Sequence, residues 1–125
     1  MATKKNAKDT TGTVSDAARD TLFADIFAAA NSAGRIAAIN TPDNFFPCGF
    51  AWVNVAPGTC AFAKWLKRTD RARPSYSGGV DIWIYDYNQS YTRKMAHASA
   101  MTTALATTLS AAGFPATITV GGRLD

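Results

Sequence analysis

Residues 78 to 85 read GGVDIWIY, and this short stretch decides the fold more clearly than any other part of the chain. From residue 80 onward, aliphatic side chains alternate with polar or aromatic ones. The aliphatic set is Val80, Ile82 and Ile84, and the other set is Asp81, Trp83 and Tyr85. Successive side chains of a strand point to opposite faces of its sheet. The alternation therefore predicts a strand with one face in a core, and Gly78 and Gly79 allow a tight turn before it.

A long helix is predicted shortly after this strand. Ser90 is suited to cap its start, and the helical pattern continues to about Ala112. Gly113 then occupies the position after a helix that favours glycine. Apolar residues along the segment recur at alternating spacings of four and three, which is typical of a helix with one buried face.

The remaining elements are predicted from the same two periodicities. They are helices over 15–31 and 59–68 and strands over 45–55 and 116–120. Gly34 is expected to end or break the first helix, and Thr59 is expected to cap the second. The strand over 45–55 is apolar enough to be buried on much of both faces, which places Trp52, like Trp65, in the core.

Helices and strands alternate along the chain, and this order predicts a small sheet with helices packed on it. We therefore expect a two-layer α+β or α/β fold, with about three strands and two or three helices. The length of 125 residues fits one domain, which we place at 13–125 after a flexible arm at 1–12. The direction of the strands stays open, because the connection over 69–78 is long enough for either.

Composition excludes several classes of function. No uninterrupted run approaches the roughly 18 apolar residues of a membrane span, and no apolar segment follows the lysines near the start, as a secretory signal would require. Glutamate is absent, and Asp81, Asp86 and Asp125 are too few and too scattered for a metal site. Two cysteines do not make a disulfide framework. With no known catalytic motif, we expect a protein without catalytic residues or a cofactor.

The net charge of +4 arises in the second half of the chain, where a short basic run attracts phosphates of any kind. The run consists of Lys64, Lys67, Arg68, Arg71 and Arg73. It supports an alternative function in nucleic-acid binding. The plainer interpretation is a solvated helix face followed by a loop.

Several short motifs recur from residue 48 onward. They read CGFAWV at 48–53, FAKWLK at 62–67, GGV at 78–80, IW at 82–83, YNQS at 87–90, RK at 93–94 and RLD at 123–125. In these motifs the chain resembles a family of small, uncharacterised proteins encoded by tailed bacteriophages. The resemblance implies a phage product in the cytoplasm of a bacterial host, and it supplies no mechanism.

The predicted ligand site lies where the long helix begins. Free backbone N–H groups make a helix N-terminus electropositive, yet Arg93 and Lys94 add two cations there, where acidic residues would be stabilising. Such an end favours an anion, and the preceding loop supplies aromatic and amide side chains that suit a base. Arg123 can join the site because the two glycines before it let the tail fold back. The predicted ligand-binding residues are Trp83, Tyr85, Tyr87, Gln89, Ser90, Arg93, Lys94 and Arg123.

A structural alternative exists for the same residues. Ser90 would then only cap the helix, and Arg93 would pair with Asp86. His97, the single histidine, lies one turn later and is expected to be a satisfied or surface side chain rather than an acid–base catalyst.

These features favour a non-enzymatic phage protein that binds a small phosphorylated ligand. A nucleotide or cyclic oligonucleotide would fit, and the protein would sequester a host defence signal. The alternatives are a nucleic-acid-binding protein and an inhibitor of a host protein or a virion component. We also expect a homo-oligomer, because the helix over 15–31 is apolar on more than one face and Phe45 and Phe46 add bulk.

Overall fold

The computed structural model describes residues 8–42 and 48–124, with the backbone alone described for 8–15. Three helices and four strands follow one another along the chain. They are α1 (Lys8–Ile39), β1 (Gly49–Ala56), α2 (Ala61–Arg68), β2 (Arg73–Pro74), β3 (Val80–Trp83), α3 (Tyr91–Ala111) and β4 (Thr117–Leu124).

The four strands form one sheet in the order β2-β3-β1-β4, and every neighbouring pair is antiparallel. From β1 to β4 this is the connectivity of the split β-α-β motif, here preceded by α1. The predicted α+β class is confirmed. The extra strand is β2, which has only two residues and is too short to produce a periodic signal in the sequence.

The helices lie on one face of the sheet. In β1, buried positions alternate strictly with half-buried ones, so Ala51, Val53 and Val55 face the helices while Phe50 and Trp52 face the other way. The prediction that β1 is buried on both faces, with Trp52 in the core, is therefore wrong, whereas Trp65 is buried as expected. The core joins these strand residues to side chains of all three helices, among them Phe23, Phe62, Leu66, Met101, Leu105 and Leu109.

Helix α1 is longer than the sequence predicts at both ends. It begins at Lys8, so residues 8–12 of the predicted arm are helical, and 1–7 lie outside the described residues. Each residue added to an existing helix closes one further hydrogen bond, which favours such an extension. Gly34 does not end the helix either. A Cβ at this position would lie 2.5 Å from the His97 ring, so Gly34 is the point where α3 approaches α1 most closely.

The part of α1 from Asp16 to Ile39 is long and apolar enough, by length and composition alone, to cross a membrane. The search for an uninterrupted apolar run did not indicate this, because polar residues are scattered along the segment. One face of the helix packs into the core through Phe23, Ile26 and Ala30.

The ends of the other elements partly follow the sequence. Ser90 caps α3 as predicted, and Gly113 after it has a φ of +89°, a conformation that favours glycine. Helix α2 is preceded by Cys60 rather than Thr59 as its N-cap residue, and no side chain caps it. Strand β4 continues through the predicted tail to Leu124, because Gly121 and its neighbours pair with β1 along its whole length.

Candidate functional site

The two cations of the predicted site, at the start of α3, hold the fold together. The Ser90 hydroxyl accepts a hydrogen bond from the Arg93 backbone N–H at 3.4 Å. The Arg93 Nε donates to the Thr41 carbonyl at 2.9 Å, which ties α3 to the end of α1. Lys94 is only 5% exposed, and its Nζ donates to the Gly49 carbonyl at 3.3 Å. Arg93 and Lys94 therefore do not form the open pair of cations that the sequence suggested.

Tyr87 is also turned inward. Its hydroxyl lies 2.8 Å from His97 Nδ1, and His97 Nε2 lies 2.9 Å from Asn31 Oδ1. Because an amide oxygen only accepts, Nε2 carries the proton and Nδ1 accepts from the tyrosine. Burial, aided by the nearby Arg35 charge, lowers the pKa of His97, and burial raises the pKa of Tyr87. The arrangement is a neutral link between α1 and α3, with His97 satisfied as expected.

The rest of the loop before α3 docks on the helices. Asp86 pairs with Arg35 at 3.2 Å rather than with Arg93. The Gln89 side chain is exposed, while its backbone carbonyl accepts from the Gly49 N–H at 3.3 Å. Tyr85, at 76% exposure, is the only aromatic ring of the predicted set that stands fully in solvent.

A different set of residues comes together on the sheet face opposite the helices, which we call the open face. Strand register places its side chains in rows. The first row is Arg123 and Phe50, the second is Gly121, Trp52 and Trp83, and the third is Thr119, Asn54, Asp81 and Arg73. No helix among the described residues covers these rows, and Phe50, Trp52 and Trp83 are each only half-buried.

Three aromatic rings meet at the centre of the open face. The Trp52 and Trp83 centroids are 4.7 Å apart with planes inclined at 42°, and Phe50 meets Trp83 edge-on at 6.3 Å. Gly121 makes room for this packing, because a Cβ there would overlap the Trp52 indole. A depression of about 430 Å³ lies beside the indoles, bounded by Arg123 and by the fully exposed Tyr76.

Cations flank the aromatic cluster on two sides. The Arg123 guanidinium lies 5.3 Å from the centre of the Phe50 ring, and Arg73 lies exposed on the edge strand β2. Neither forms an ion pair with any carboxylate in the described part of the chain. Arg123 and Arg73 are three strands and four residues apart, so strand geometry separates their Cα atoms by about 20 Å.

One carboxylate lies between them. Asp81 is 7% exposed, and its Oδ1 accepts from Asn54 Nδ2 at 2.9 Å. The same Asn54 amide donates to the Gly78 carbonyl at 2.9 Å, so it braces the turn before β3. Asp81 also lines the depression beside Trp83, where it offers a hydrogen-bond acceptor.

The basic run that supported nucleic-acid binding is divided by the fold. Lys64 and Arg68 line a depression between α1 and α2, where Arg68 pairs with Asp20 at 2.9 Å. Arg71 and Arg73 lie at the sheet edge instead, beside Trp83 and Tyr85. Lys67 is exposed on α2.

Of the eight predicted ligand residues, the structure brings Trp83 and Arg123 onto the open face and leaves Tyr85 near its edge. Phe50, Trp52 and Tyr76 were not predicted. The signal that could have found the first two is the alternation over 49–56, where the large rings fall on the positions that β1 does not bury.

No protein-family model matches this chain, and neither a curated protein nor a solved structure matches it. The resemblance to a bacteriophage family therefore stays a prediction from short motifs. The chemistry of the open face is the basis for a function.

Proposed function

We propose that this protein binds nucleotides on its open face. The base stacks against Trp83 and Trp52, and the phosphate contacts Arg123 or Arg73. The observation that supports this most directly is the pairing of two half-exposed indoles, on the central strands, with two arginines that lack carboxylate partners among the described residues.

The aromatic residues are unusual for a solvated sheet face. Antiparallel sheets with one wet face normally carry polar side chains there, in alternation with the core. Here the central strands carry Phe50, Trp52 and Trp83 instead. Exposed aromatic rings on a four-stranded sheet are used elsewhere to stack two or three bases, and each stacked base contributes about 1–3 kcal/mol.

The charges of the face suit a ligand with an anionic end and a ring. Arg123 and Arg73 attract phosphate, while Asp81 repels it from the centre of the face. The Asp81 carboxylate accepts hydrogen bonds, so it favours a base that presents an amino group above Trp83. A phosphate at either end with a base in the middle satisfies all three side chains.

Stacking and charge contacts hold a ligand without changing it, so the proposed activity is binding. The ligand class agrees with the sequence-based expectation of a phosphorylated ligand. The proposed position differs, because it moves from the start of α3 to the open face.

Tryptophan fluorescence gives the test. The purified protein is titrated with the common nucleoside monophosphates and with cyclic dinucleotides, and calorimetry supplies the affinity. We expect quenching by at least one class, a loss of affinity of about 5- to 100-fold in Trp83→Ala, and near-normal binding in Trp83→Phe, which keeps a stacking ring.

Arg19→Gln is the control for charge, since this exposed arginine of α1 pairs with Asp16 away from the open face. Wild-type protein that shows neither quenching nor heat with any nucleotide would overturn the proposal. So would a Trp83→Ala variant that binds normally, or one whose only defect is the loss of self-association, because the face would then be an interface between copies.

A further inference from the structure

Trp83 borders three separate depressions of the surface. The largest lies on the open face beside Arg123, and a second, of about 80 Å³, lies at the sheet edge beside Arg71 and Arg73. The third, of about 210 Å³, lies past the edge and reaches Asn31 on α1. Because one indole borders all three, they form a single groove that passes from the open face around the edge of the sheet.

The edge is open at this point because β2 is short. Its two residues pair only with Val80 and Asp81, so β2 does not cover the outer side of Trp83. The chain before β2 diverges from β3 instead of continuing the ladder. A ligand that leaves the open face can therefore follow Trp83 around the edge.

Arg71 lies along this route and is held in place. Its guanidinium carbon is 4.7 Å from the centre of the Trp65 ring and 5.5 Å from that of Phe27. Within the described chain it forms no ion pair, although the residue is exposed. A guanidinium fixed between two rings loses little further freedom when it binds phosphate.

The far end of the groove offers hydrogen-bonding groups. The Asn31 oxygen is occupied by His97, which leaves the amide Nδ2 as a donor beside the depression. The Asp86 carboxylate lines the same depression and accepts from Arg35 at 3.2 Å. A base that reaches this end meets both a donor and an acceptor.

Resting on the proposed function, we infer that the ligand is a single-stranded oligonucleotide that follows this groove from Arg123 past Trp83 to Arg71. A mononucleotide fills only the part of the groove on the open face. The cations at the open face, the edge and beyond it then contact successive phosphates, while the indole of Trp83 stacks a base between them.

A duplex does not fit this groove. Its bases are already stacked on one another, and a stiff double helix does not bend sharply around the edge of a small sheet. Single strands are flexible and expose the ring faces that Trp83 and Trp52 require. The groove therefore selects single strands by shape.

The test compares ligand length with two cation variants. Oligothymidylates and oligoadenylates of one, two, four and eight nucleotides are titrated against wild type, Arg71→Gln and Arg123→Gln, with tryptophan quenching as the readout. We expect wild-type affinity to rise at least tenfold between one and four nucleotides. Arg71→Gln should lose about three- to tenfold for the tetramer and nothing for the mononucleotide, whereas Arg123→Gln should lose affinity for both.

Two controls keep the result interpretable. Lys64→Gln removes an exposed cation from the depression between α1 and α2, outside the groove, and should bind as wild type. Arg71→Lys keeps the charge and should recover most of the tetramer affinity, while unchanged thermal melting shows that Arg71→Gln is folded. The salt dependence gives a second readout, because each lost phosphate contact on a single strand lowers the slope of log K against log salt by about 0.7.

The outcomes separate the two proposals. If mononucleotide and octamer bind equally well and Arg71→Gln has no effect, the groove inference is wrong while nucleotide binding stands. If duplex DNA binds as tightly as the single strand, the inference is also wrong. If no nucleotide of any length binds the wild-type protein, the proposed function itself fails.

Discussion

Trp52 and Trp83 are directly opposite each other on the two central strands, and their ring centroids are 4.7 Å apart. Neither indole reaches the core, because both project from the side of the sheet that the helices leave open. What fixes Trp52 in this position is Gly121 on β4, whose missing side chain leaves the space that the indole occupies. The shape of the proposed stacking surface thus depends on a glycine that has no contact with a ligand.

Replacing this glycine should therefore impair nucleotide binding. In Gly121→Ala the new methyl group overlaps the Trp52 indole, which must turn away and so disturb the pair with Trp83. We expect nucleotide affinity to fall about three- to tenfold, since part of a stacking contact worth about 1–3 kcal/mol is lost. Calorimetry measures the affinity, and a shift in tryptophan emission reports the movement.

Gly58→Ala is the matched control, because its added Cβ finds only ordinary contacts, the nearest at 3.6 Å. It should bind as wild type. Equal affinities for Gly121→Ala and wild type would show that the position of Trp52 does not matter for the ligand.

A second glycine should control stability instead of binding. In Gly34→Ala the new Cβ lies 2.5 Å from the His97 ring, which is buried and hydrogen-bonded on both nitrogens. Overpacking of this kind costs about 1–3 kcal/mol, which outweighs the roughly 1 kcal/mol that alanine normally gains over glycine in a helix. Urea unfolding should show a net loss of stability.

Ser32→Ala serves as the reference, because Ser32 is exposed on the same helix. That change should leave stability unaltered or raise it slightly through helix propensity. A Gly34→Ala protein more stable than wild type would mean that α1 and α3 do not approach as closely as described.

The main elements of the fold were readable from the sequence because each carries a complete local signal. The alternation in β3, the cap at Ser90 and the glycine at position 113 all depend on residues near one another in the chain. The two-residue strand β2 has no such signal. Gly34 looked like a helix end because its partner, His97, is distant in sequence and invisible to a local pattern.

The site was harder to predict for the same reason. Two cations at the start of a helix look free in a sequence, but Arg93 contacts the carbonyl of Thr41 and Lys94 that of Gly49. Those partners lie on other elements of the fold. Conversely, β1 mixes aliphatic and aromatic residues, so its hydrophobicity alone does not reveal that one face lacks a covering layer.

The state of His97 predicts how stability varies with pH. Burial lowers the pKa of His97 below the ordinary value near 6.5, so between that value and the lower folded pKa the unfolded chain binds more protons than the native protein. The free energy of unfolding should thus be full above about pH 6.5 and decline as the pH falls below it. Urea unfolding at a series of pH values from 7.5 to 5.5 measures this.

His97→Asn is the comparison, because it is the single histidine and asparagine does not titrate. The variant should be less stable throughout, yet its stability should change less with pH over this range. A wild-type protein equally stable at pH 7.5 and pH 5.5 would contradict the assignment of a neutral, buried imidazole.

Self-association remains a prediction, and the structure indicates where to test it. Leu22, Ile36 and Ile39 of α1 are exposed at 37%, 62% and 64%, while Phe45 and Phe46 lie outside the described residues. If α1 forms the interface, Ile36→Asp should convert a dimer into a monomer without loss of helix content. Light scattering at high micromolar concentration decides this, with Thr21→Asp on the same helix as control, and a monomeric wild type would refute the prediction.

Arg93 and Arg123 finally distinguish a site at the start of α3 from one on the open face. Arg93→Ala removes the contact with Thr41, so it should destabilise the fold by about 1–2 kcal/mol while nucleotide affinity stays within about twofold of wild type. Arg123→Ala should do the reverse, with stability nearly unchanged and affinity reduced about tenfold, because its exposed guanidinium contacts the Phe50 ring and no described carboxylate. Thermal melting and calorimetry on the same two preparations separate the effects. A loss of binding that follows Arg93 and spares Arg123 would return the ligand to the helix N-terminus and overturn the open-face proposal.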